Sequence, residues 1–281
     1  MIIGSNTNTV YFSERLLTEK RFTSTCNQLT AILDRHRMDY GFLKGTKDIW
    51  CRDYMPIQKG TNEFIQFRYE PSYLKADLDL QSDPKVVCEA NNINARFSDI
   101  NLDGGNVVNW SDRVVMTDRI FDENPAYTDK SKLISALENL FQAEIIIIPQ
   151  IKSDYTGHAD GLVRFVDRNT LLGNHRDHEY KYWKSGIDRV LHSYGIDYID
   201  IPFLDHKEKN HPEHAIGCYV NYLEVNDIIV LPIFEVPRNK DSEVVDLFKQ
   251  IFPDRKIETI NYNAVGIFGG LLNCTTWTIF Q

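Results

Sequence analysis

Residues 106–118 read NVVNWSDRVVMTD, which is an apolar run, a short polar connection and a second apolar run. This pattern is typical of a β-hairpin, because a polar turn of two or three residues lets two apolar strands fold back on each other. The pattern recurs as DYMPIQKGTNEFIQF (53–67), DGLVRFVDRNTLLGN (160–174) and CYVNYLEVNDIIVLP (218–232). Its last three copies start about 55 residues apart, which indicates an internal repeat.

Three of these hairpins are followed by a helix-like pattern and then by a short apolar strand. Apolar residues recur at helical spacing in residues 127–141, 178–194 and 242–252. The short strands that follow are predicted at residues 144–149, 197–202 and 256–261. A fourth helix fits residues 14–37. The repeating unit is therefore predicted to be strand, strand, helix, strand.

The two ends of the chain complete a fifth unit. GGLLNCTTWTIF (269–280) is predicted to be a terminal strand that carries Cys274 and pairs with NTVYFS (8–13). Five units of about 56 residues account for the 281 residues, and no linker rich in Pro, Gly or Ser interrupts them. We predict one α/β domain over residues 1–281, a closed ring of five ββαβ units. Such a ring would place a site on its pseudo-fivefold axis, although repetition alone says nothing about chemistry.

Composition narrows the classes of partner. The chain is 42% apolar and 12% aromatic, which is sufficient for a globular core, and its formal net charge is -9 with no cluster of Lys and Arg. Nucleic acid is therefore not expected as a partner, and a small cation suits the charge better. The apolar runs are too short to cross a bilayer, and the N-terminus lacks the features of a signal peptide. We expect a cytoplasmic protein with no membrane partner, and assembly into a homo-oligomer is left open.

Cysteines and histidines give little sign of a metal. The five cysteines are odd in number and form no CxxC pair, which argues against a disulfide framework and against a cysteine-rich zinc site. His206 and the HPEH stretch (211–214) lie in a charged segment without a HExxH pattern or a cysteine partner. We predict no metal and no cofactor.

Four short stretches combine reactive side chains with glycines or aromatics: WCRDYMP (50–56), NLDGGN (101–106), TGHADG (156–161) and GGLLNC (269–274). Taken singly, each has an ordinary explanation as a surface ion pair, a glycine turn, a polar loop or a small core cysteine. His158 and Asp160 are two residues apart, and on a strand this spacing would place both side chains on one face about 6 to 7 Å apart. One ligand could then contact both.

Taken together and in order, these stretches resemble the agmatine deiminases and bacterial peptidylarginine deiminases of the guanidine-modifying pentein superfamily. The resemblance covers nearly the whole chain, and the fold of that family is a five-bladed ββαβ propeller. The family motifs match as WxRDxxP (Trp50, Arg52, Asp53, Pro56), (D/E)GG (Asp103, Gly104, Gly105), GHxD (Gly157, His158, Asp160), YxN (Tyr219, Asn221) and a glycine-rich stretch that ends in the nucleophile (Gly269, Gly270, Cys274).

The chain departs from the family pattern in two places. Asn273 stands where the family usually has a His before the cysteine. The segment with tryptophans that members commonly carry near the N-terminus is not found in this sequence. Both departures bear on which substrate is used more than on which reaction is performed.

The resemblance implies a role for each motif residue. Asp53 and Asp160 would hold a flat guanidinium by paired hydrogen bonds, and Cys274 would attack its carbon as a thiolate, activated by His158 or by the bound cation. His158 would give a proton to the departing ammonia and then take one from water. The remaining implied roles are orientation of His158 by Asp103, and substrate contacts by Trp50, Arg52 and Asn221. Arg52 is also expected to pair with its neighbour Asp53.

The implied reaction is hydrolysis of a guanidino group to a ureido group and ammonia through a covalent Cys thiouronium. Agmatine is the expected substrate and N-carbamoylputrescine the product, a step of polyamine biosynthesis towards putrescine. The alternatives are a deiminase for arginine or peptidylarginine, and an amidinotransferase. A third hypothesis from another class is a ring-shaped protein that binds guanidines without turning them over, and Asn273 is the feature that favours it.

Overall fold

A computed structural model describes residues 1–281, and its fifteen strands form five sheets of three strands each. The strands are β1 (Thr9–Ser13), β2 (Asp39–Leu43), β3 (Ile57–Gly60), β4 (Glu63–Arg68), β5 (Arg96–Asn101), β6 (Val108–Trp110), β7 (Arg113–Thr117), β8 (Glu144–Ile148), β9 (Val163–Asp167), β10 (Thr170–Gly173), β11 (Asp197–Asp200), β12 (Leu223–Val225), β13 (Ile228–Ile233), β14 (Lys256–Asn261) and β15 (Trp277–Ile279).

Nine α-helices connect the strands or follow them. They are α1 (Glu14–Thr18), α2 (Lys20–Arg35), α3 (Cys51–Tyr54), α4 (Pro84–Ala90), α5 (Arg119–Asp122), α6 (Lys130–Phe141), α7 (Lys181–Tyr194), α8 (Asp241–Ile251) and α9 (Asn263–Gly266). No helix combines the length and the apolar character that crossing a membrane requires.

All five sheets share one topology. The strand orders are β15-β1-β2, β3-β4-β5, β6-β7-β8, β9-β10-β11 and β12-β13-β14. In each sheet the first strand is antiparallel to the second, which pairs in parallel with the third across a helical connection. Thr9 lies opposite Ile279, so the last strand of the chain completes the first sheet. The predicted five-bladed ββαβ propeller is confirmed.

The apolar core is divided among the blades. It consists of clusters of 32, 14, 13 and 9 buried residues, because each helix buries one apolar face against its own sheet and its neighbours. Helix α7 shows the pattern: Trp183, Ile187 and Leu191 lie on one face and pack in the same cluster as Ile146 of β8. Gly195, with a φ of 60°, ends this helix in the left-handed conformation that glycine adopts most readily.

Several local predictions were wrong. The helix expected over residues 14–37 is two helices, because Glu19 between them is extended. Helix α4 was not predicted, although Asp83 caps it with its side chain and Pro84 occupies its first turn. His158 and Asp160 lie in the loop before β9, and Cys274 lies in a turn before β15, so none of the three is on a strand. These segments take their conformation from distant contacts described below.

Candidate active site

The predicted site residues come from corresponding places in all five blades. Each lies in the short segment that precedes the first strand of its sheet. These segments contribute Asp53 before β3, Asp103 before β6, His158 and Asp160 before β9, Asn221 before β12, and Cys274 before β15. Because these strands surround one axis, the five segments meet at one end of it. The repeat therefore explains why residues far apart in sequence share one site.

Gly105 allows two of these segments to approach each other closely. The one-turn helix α3 packs on the turn Gly104–Asn106, and the backbone N–H of Gly105 donates to Asp53 Oδ1 at 3.1 Å. A Cβ on Gly105 would lie 2.5 Å from His158 Nδ1 and 2.6 Å from Asp53 Oδ1. Only glycine leaves room for both side chains at this point.

The loop with His158 and Asp160 is held by the neighbouring blade. The Thr117 hydroxyl donates to the carbonyl of Gly157 at 2.6 Å, and the backbone N–H of Asp160 donates to the carbonyl of Gly105 at 3.1 Å. Gly157 has a φ of 65°, which turns the chain into the site. These contacts, and not a strand, bring both side chains to the axis.

His158 lies between two carboxylates. Its Nε2 is 2.8 Å from Asp103 Oδ2, its Nδ1 is 3.5 Å from Asp53 Oδ1, and all three residues are buried. The Tyr73 hydroxyl also donates to Asp103 Oδ2, at 2.9 Å. The imidazole therefore has a carboxylate at each ring nitrogen.

These surroundings change the protonation of the site. Burial by itself lowers the pKa of His158, but the charge of Asp53 and the hydrogen bond to Asp103 outweigh it and raise that pKa to about 10. Burial raises the pKa of Asp53 to about 8, with the nearby His158 acting in the opposite direction. Both shifts have the same consequence, which is that protons are retained among these groups at neutral pH.

Asp160 is held by neutral amides. Its Oδ2 accepts from Asn273 Nδ2 at 2.7 Å and from Asn221 Nδ2 at 3.1 Å. The side-chain oxygen of Asn221 accepts from the backbone N–H groups of Asn273 at 3.0 Å and of Cys274 at 3.3 Å. Asn221 thus fixes the carboxylate and the turn of the cysteine at the same time.

The thiol of Cys274 lies beside this carboxylate. Its Sγ is 3.7 Å from Asp160 Oδ2 and 3.3 Å from Asn221 Nδ2, and the residue is half-buried. Burial raises the pKa of Cys274 well above its ordinary value, and the negative charges of Asp160 and Asp53 add to the effect. A positive charge placed between the carboxylates would offset the second of these causes and favour the thiolate.

Trp50 and Arg52 occupy different places from these residues. The Trp50 ring packs so closely on Gly270 that a Cβ there would collide with it. The backbone N–H of Arg52 donates to the carbonyl of Cys274 at 3.2 Å, and its Nε donates to the carbonyl of Asn273 at 3.4 Å. No ion pair joins Arg52 to Asp53, so the predicted pairing was wrong. The Arg52 side chain lines a cavity on the ring axis and does not join the cluster of carboxylates.

Two residues that form hydrogen bonds within the site were not among the residues predicted from the sequence. Asn273 is interpreted from the sequence as a departure from the family pattern that favours a binding protein, and its contact with Asp160 is not predicted, although its position next to the predicted nucleophile was a usable signal. Tyr73 lies in a turn, Ser72–Leu74, outside every motif, and nothing in the sequence indicated its contact with Asp103.

The histidine-rich segment lies beside the site and outside it. The rings of His206 and His214 are 5.3 Å apart, and His211 Nδ1 is 3.3 Å from Glu213 Oε1. The carbonyl of Glu213 packs on Gly269, at 3.1 Å from the position of a Cβ there. No group of three or more His, Cys, Asp or Glu side chains is arranged to hold a metal ion.

A ring of five ββαβ blades whose centre gathers a thiol, an imidazole and several carboxylates defines a pentein of the class of hydrolases that act on amidines. The family model of Porphyromonas-type peptidyl-arginine deiminase matches residues 12–279, and the chain belongs to this family.

Similar proteins agree with this membership. A protein of Listeria monocytogenes named "Putative agmatine deiminase 2" is 24% identical over 278 residues, which cover 82% of this chain and 73% of the relative. A variant of the C. jejuni agmatine deiminase with substrate bound superposes with a TM-score of 0.77 at 18% identity, covering 100% of this chain and 96% of that one. The agmatine deiminase of Enterococcus faecalis gives a TM-score of 0.73 at 14% identity, covering 98% and 93%. At these identities the two structures establish the fold alone.

Proposed function

We propose that the protein is an agmatine deiminase, which hydrolyses the guanidinium of agmatine to the urea of N-carbamoylputrescine with release of ammonia. The observation that carries the proposal is the position of Cys274 Sγ, 3.7 Å from Asp160 Oδ2, in a buried cluster that also contains His158 between Asp53 and Asp103. We further propose that residues 1–281 act as one catalytic domain, since every blade supplies part of this cluster.

Asp53 and Asp160 would bind the guanidinium. A guanidinium is flat and cationic, and a carboxylate accepts two of its N–H bonds side by side, so two carboxylates fix it in one plane. Asp160 is oriented for this role by Asn221 and Asn273, and Asp53 by the backbone N–H of Gly105. The clamp also gives the central carbon a defined position relative to the thiol.

The bound cation would activate the nucleophile. The free thiol resists ionisation because it is buried beside carboxylates. A guanidinium between Asp53 and Asp160 neutralises those charges and favours the thiolate. No hydrogen bond joins His158 to Cys274, so activation by the substrate is better supported than activation by the imidazole.

His158 would carry the protons. The thiolate of Cys274 adds to the guanidinium carbon, and the protonated imidazole gives its proton to the departing nitrogen. The nitrogen leaves as ammonia, and a thiouronium remains on the cysteine. The neutral imidazole then takes a proton from water, whose oxygen adds to the same carbon and expels the thiolate. The products are the ureido compound and ammonium. Asp103 and the Tyr73 hydroxyl keep the ring in place.

Charge favours agmatine over free arginine. The cluster contains three carboxylates, Asp53, Asp103 and Asp160, and the side chain of the nearby cation Arg52 lines the axial cavity. The α-carboxylate of arginine would therefore lack a charged partner from the predicted motifs. Agmatine carries an ammonium at that end.

The test is a single assay of ammonia and ureido product with agmatine, free arginine and a peptide ending in arginine. The proposal expects the highest kcat/KM with agmatine. A preference for the peptide would assign a peptidylarginine deiminase, a preference for free arginine an arginine deiminase, and saturable binding without ammonia would assign a guanidine-binding protein.

A further inference from the structure

The axis of the ring contains a second polar cavity behind the nucleophile. Its lining includes the second residue of the first strand in every sheet, and these five side chains form a ring around the axis: Gln58, Asn109, Arg164, Glu224 and Thr278. Arg52 and Asn273 also line the cavity, between this ring and the turn of Cys274. The cavity has a volume of about 70 Å³ and opens to solvent at its mouth.

The charges in this cavity do not pair with one another. The Arg164 guanidinium donates to the carbonyl of Tyr222 at 3.0 Å and stacks at 4.5 Å from the ring centre of Tyr222. The Arg52 guanidinium donates to the carbonyl of Asn273 and to no side chain. Glu224 is the acidic residue of the lining, and it forms neither an ion pair nor a hydrogen bond with either arginine. Glu224 is therefore not in direct contact with either arginine, although the charges of Arg164 and Arg255 act on it and oppose the effect of burial on its pKa.

The electrostatics agree with an excess of positive charge. Burial lowers the pKa of Arg52, and the neighbouring charge of Arg164 lowers it further, while the smaller effects of Cys51, Asp160 and Cys274 act in the opposite direction. A buried guanidinium is costly unless an anion offsets it, and its planar N–H groups fit the oxygens of a carboxylate or a phosphate. Gln58 is not free to bind a ligand, because its side-chain amide already bonds to the main chain of Thr61 and Phe280.

We propose that the axial cavity binds one small oxyanion, a carboxylate or a phosphate, between Arg52 and Arg164. Glu224 opposes this binding by its own negative charge, so its removal strengthens it. The site adjoins the carboxylate cluster for which cation binding is proposed above, and Asn273, which lines the cavity and donates to Asp160, lies between the two. Arg52 connects the two, since its backbone N–H bonds to the carbonyl of Cys274.

The test is calorimetric titration of the full chain with inorganic phosphate and with formate at constant ionic strength, with chloride as the control for general charge screening. The wild type is expected to bind one oxyanion per chain. Arg164→Gln should weaken the binding at least tenfold, and Glu224→Gln should strengthen it at least threefold. The matched control is Arg168→Gln, on the same hairpin, whose guanidinium is exposed and paired with Asp112. It should leave the affinity unchanged.

The two variants are expected to change the affinity in opposite directions, so either one tests the site if the other folds poorly. Circular dichroism would show a folding defect. Equal affinity in wild type and Arg164→Gln, weaker binding in Glu224→Gln, or heats from phosphate and formate no larger than those from chloride would each overturn it. Tighter binding of phosphate or of formate identifies which oxyanion the site prefers. Because no guanidino substrate is present, the result does not depend on the deiminase proposal.

Discussion

The two sides of the site hold their carboxylates in different ways. The first, the proton side, consists of titratable side chains joined by ion pairs and hydrogen bonds: Asp53, Asp103, His158 and Tyr73. The second, the nucleophile side, consists of a carboxylate and a thiol held by neutral amides: Asp160, Asn221, Asn273 and Cys274.

This difference separates two tasks. On the proton side, burial raises the pKa of Asp53 to about 8, and the carboxylates around His158 raise the pKa of the imidazole to about 10. On the nucleophile side, amide donors fix Asp160 without adding a titratable group. We therefore expect changes on the proton side to alter pH dependence, and changes on the nucleophile side to alter positioning and the covalent step.

Loss of Cys274, the proposed nucleophile, should have the largest effect. Cys274→Ser is expected to reduce kcat with agmatine by on the order of 10⁴-fold or more, since a hydroxyl beside carboxylates does not ionise. Ammonia release measures it. The matched control is Cys218→Ser, because Cys218 is also half-buried and donates to the carbonyl of Gly161. Iodoacetamide should label Cys274 first and agmatine should protect it, whereas protection of Cys218 or Cys51 would reject the assignment.

Removing one carboxylate of the clamp should have the next largest effect. Asp53→Asn and Asp160→Asn should each lower kcat/KM by between about 10² and 10⁴-fold, because an unpaired buried charge costs about 3 to 5 kcal/mol. The two variants should differ in their pH profiles. Asp53→Asn should lose the ionisation of Asp53 and also lower the pKa of His158, which the charge of Asp53 raises, whereas Asp160→Asn should keep the ionisation near 8. Near-normal turnover in either variant would exclude the clamp.

Asn273 tests whether the nucleophile side depends on its amides. Asn273→Ala should lower kcat/KM by about 10- to 100-fold, because a hydrogen bond to a charged group contributes about 1.5 to 3 kcal/mol. Asn273→Asp should be worse, since it places a second negative charge 2.7 Å from Asp160. The control is Asn27→Ala on the exposed surface of α2. Activity equal to that of the control would show that Asn273 does not position Asp160.

The architecture was predictable from the sequence because most of the strands and the longer helices follow from local patterns of apolar and polar residues. Hairpin residues 106–118 became β6 and β7, and the residues of the five motifs preceded the five first strands as the repeat required. The local geometry of the site was not predictable, because long-range contacts set it. The turn of Cys274 is held by the backbone of Arg52, and the loop of Asp160 by the carbonyl of Gly105. Helix α4, in contrast, could have been predicted from its Asp-Pro start.

The pH profile tests the proton side directly. In the proposed clamp the guanidinium binds the carboxylate form of Asp53, whose pKa is raised to about 8, so we expect activity to be lost as pH falls through that value. Between pH 6 and 7, kcat/KM for agmatine should rise by at least about tenfold from the ionisation of Asp53, and the raised pKa of Cys274 makes the rise steeper. Above about pH 10 the rate should fall as His158 loses its proton. A profile flat from pH 6 to 8 would contradict these shifts.

The smallest expected effect concerns the far end of the substrate. Agmatine should exceed free arginine in kcat/KM by at least about tenfold, which corresponds to roughly 1.4 kcal/mol of differential transition-state binding. Steady-state kinetics with both substrates at one pH measure it. An equal or reversed preference would contradict agmatine as the substrate and favour arginine or peptidylarginine instead.

The most direct test of the central claim is intact-mass spectrometry of His158→Gln after mixing with agmatine, followed by peptide mapping. If the two sides divide the chemistry as proposed, the imidazole is needed mainly to release ammonia and to activate water, and Cys274 can still add slowly to the bound guanidinium. We predict an adduct on the peptide that contains Cys274, with the mass of agmatine or of agmatine less one ammonia, and none in the double variant with Cys274→Ser. An adduct on another residue, or wild-type ammonia release by His158→Gln, would contradict the account.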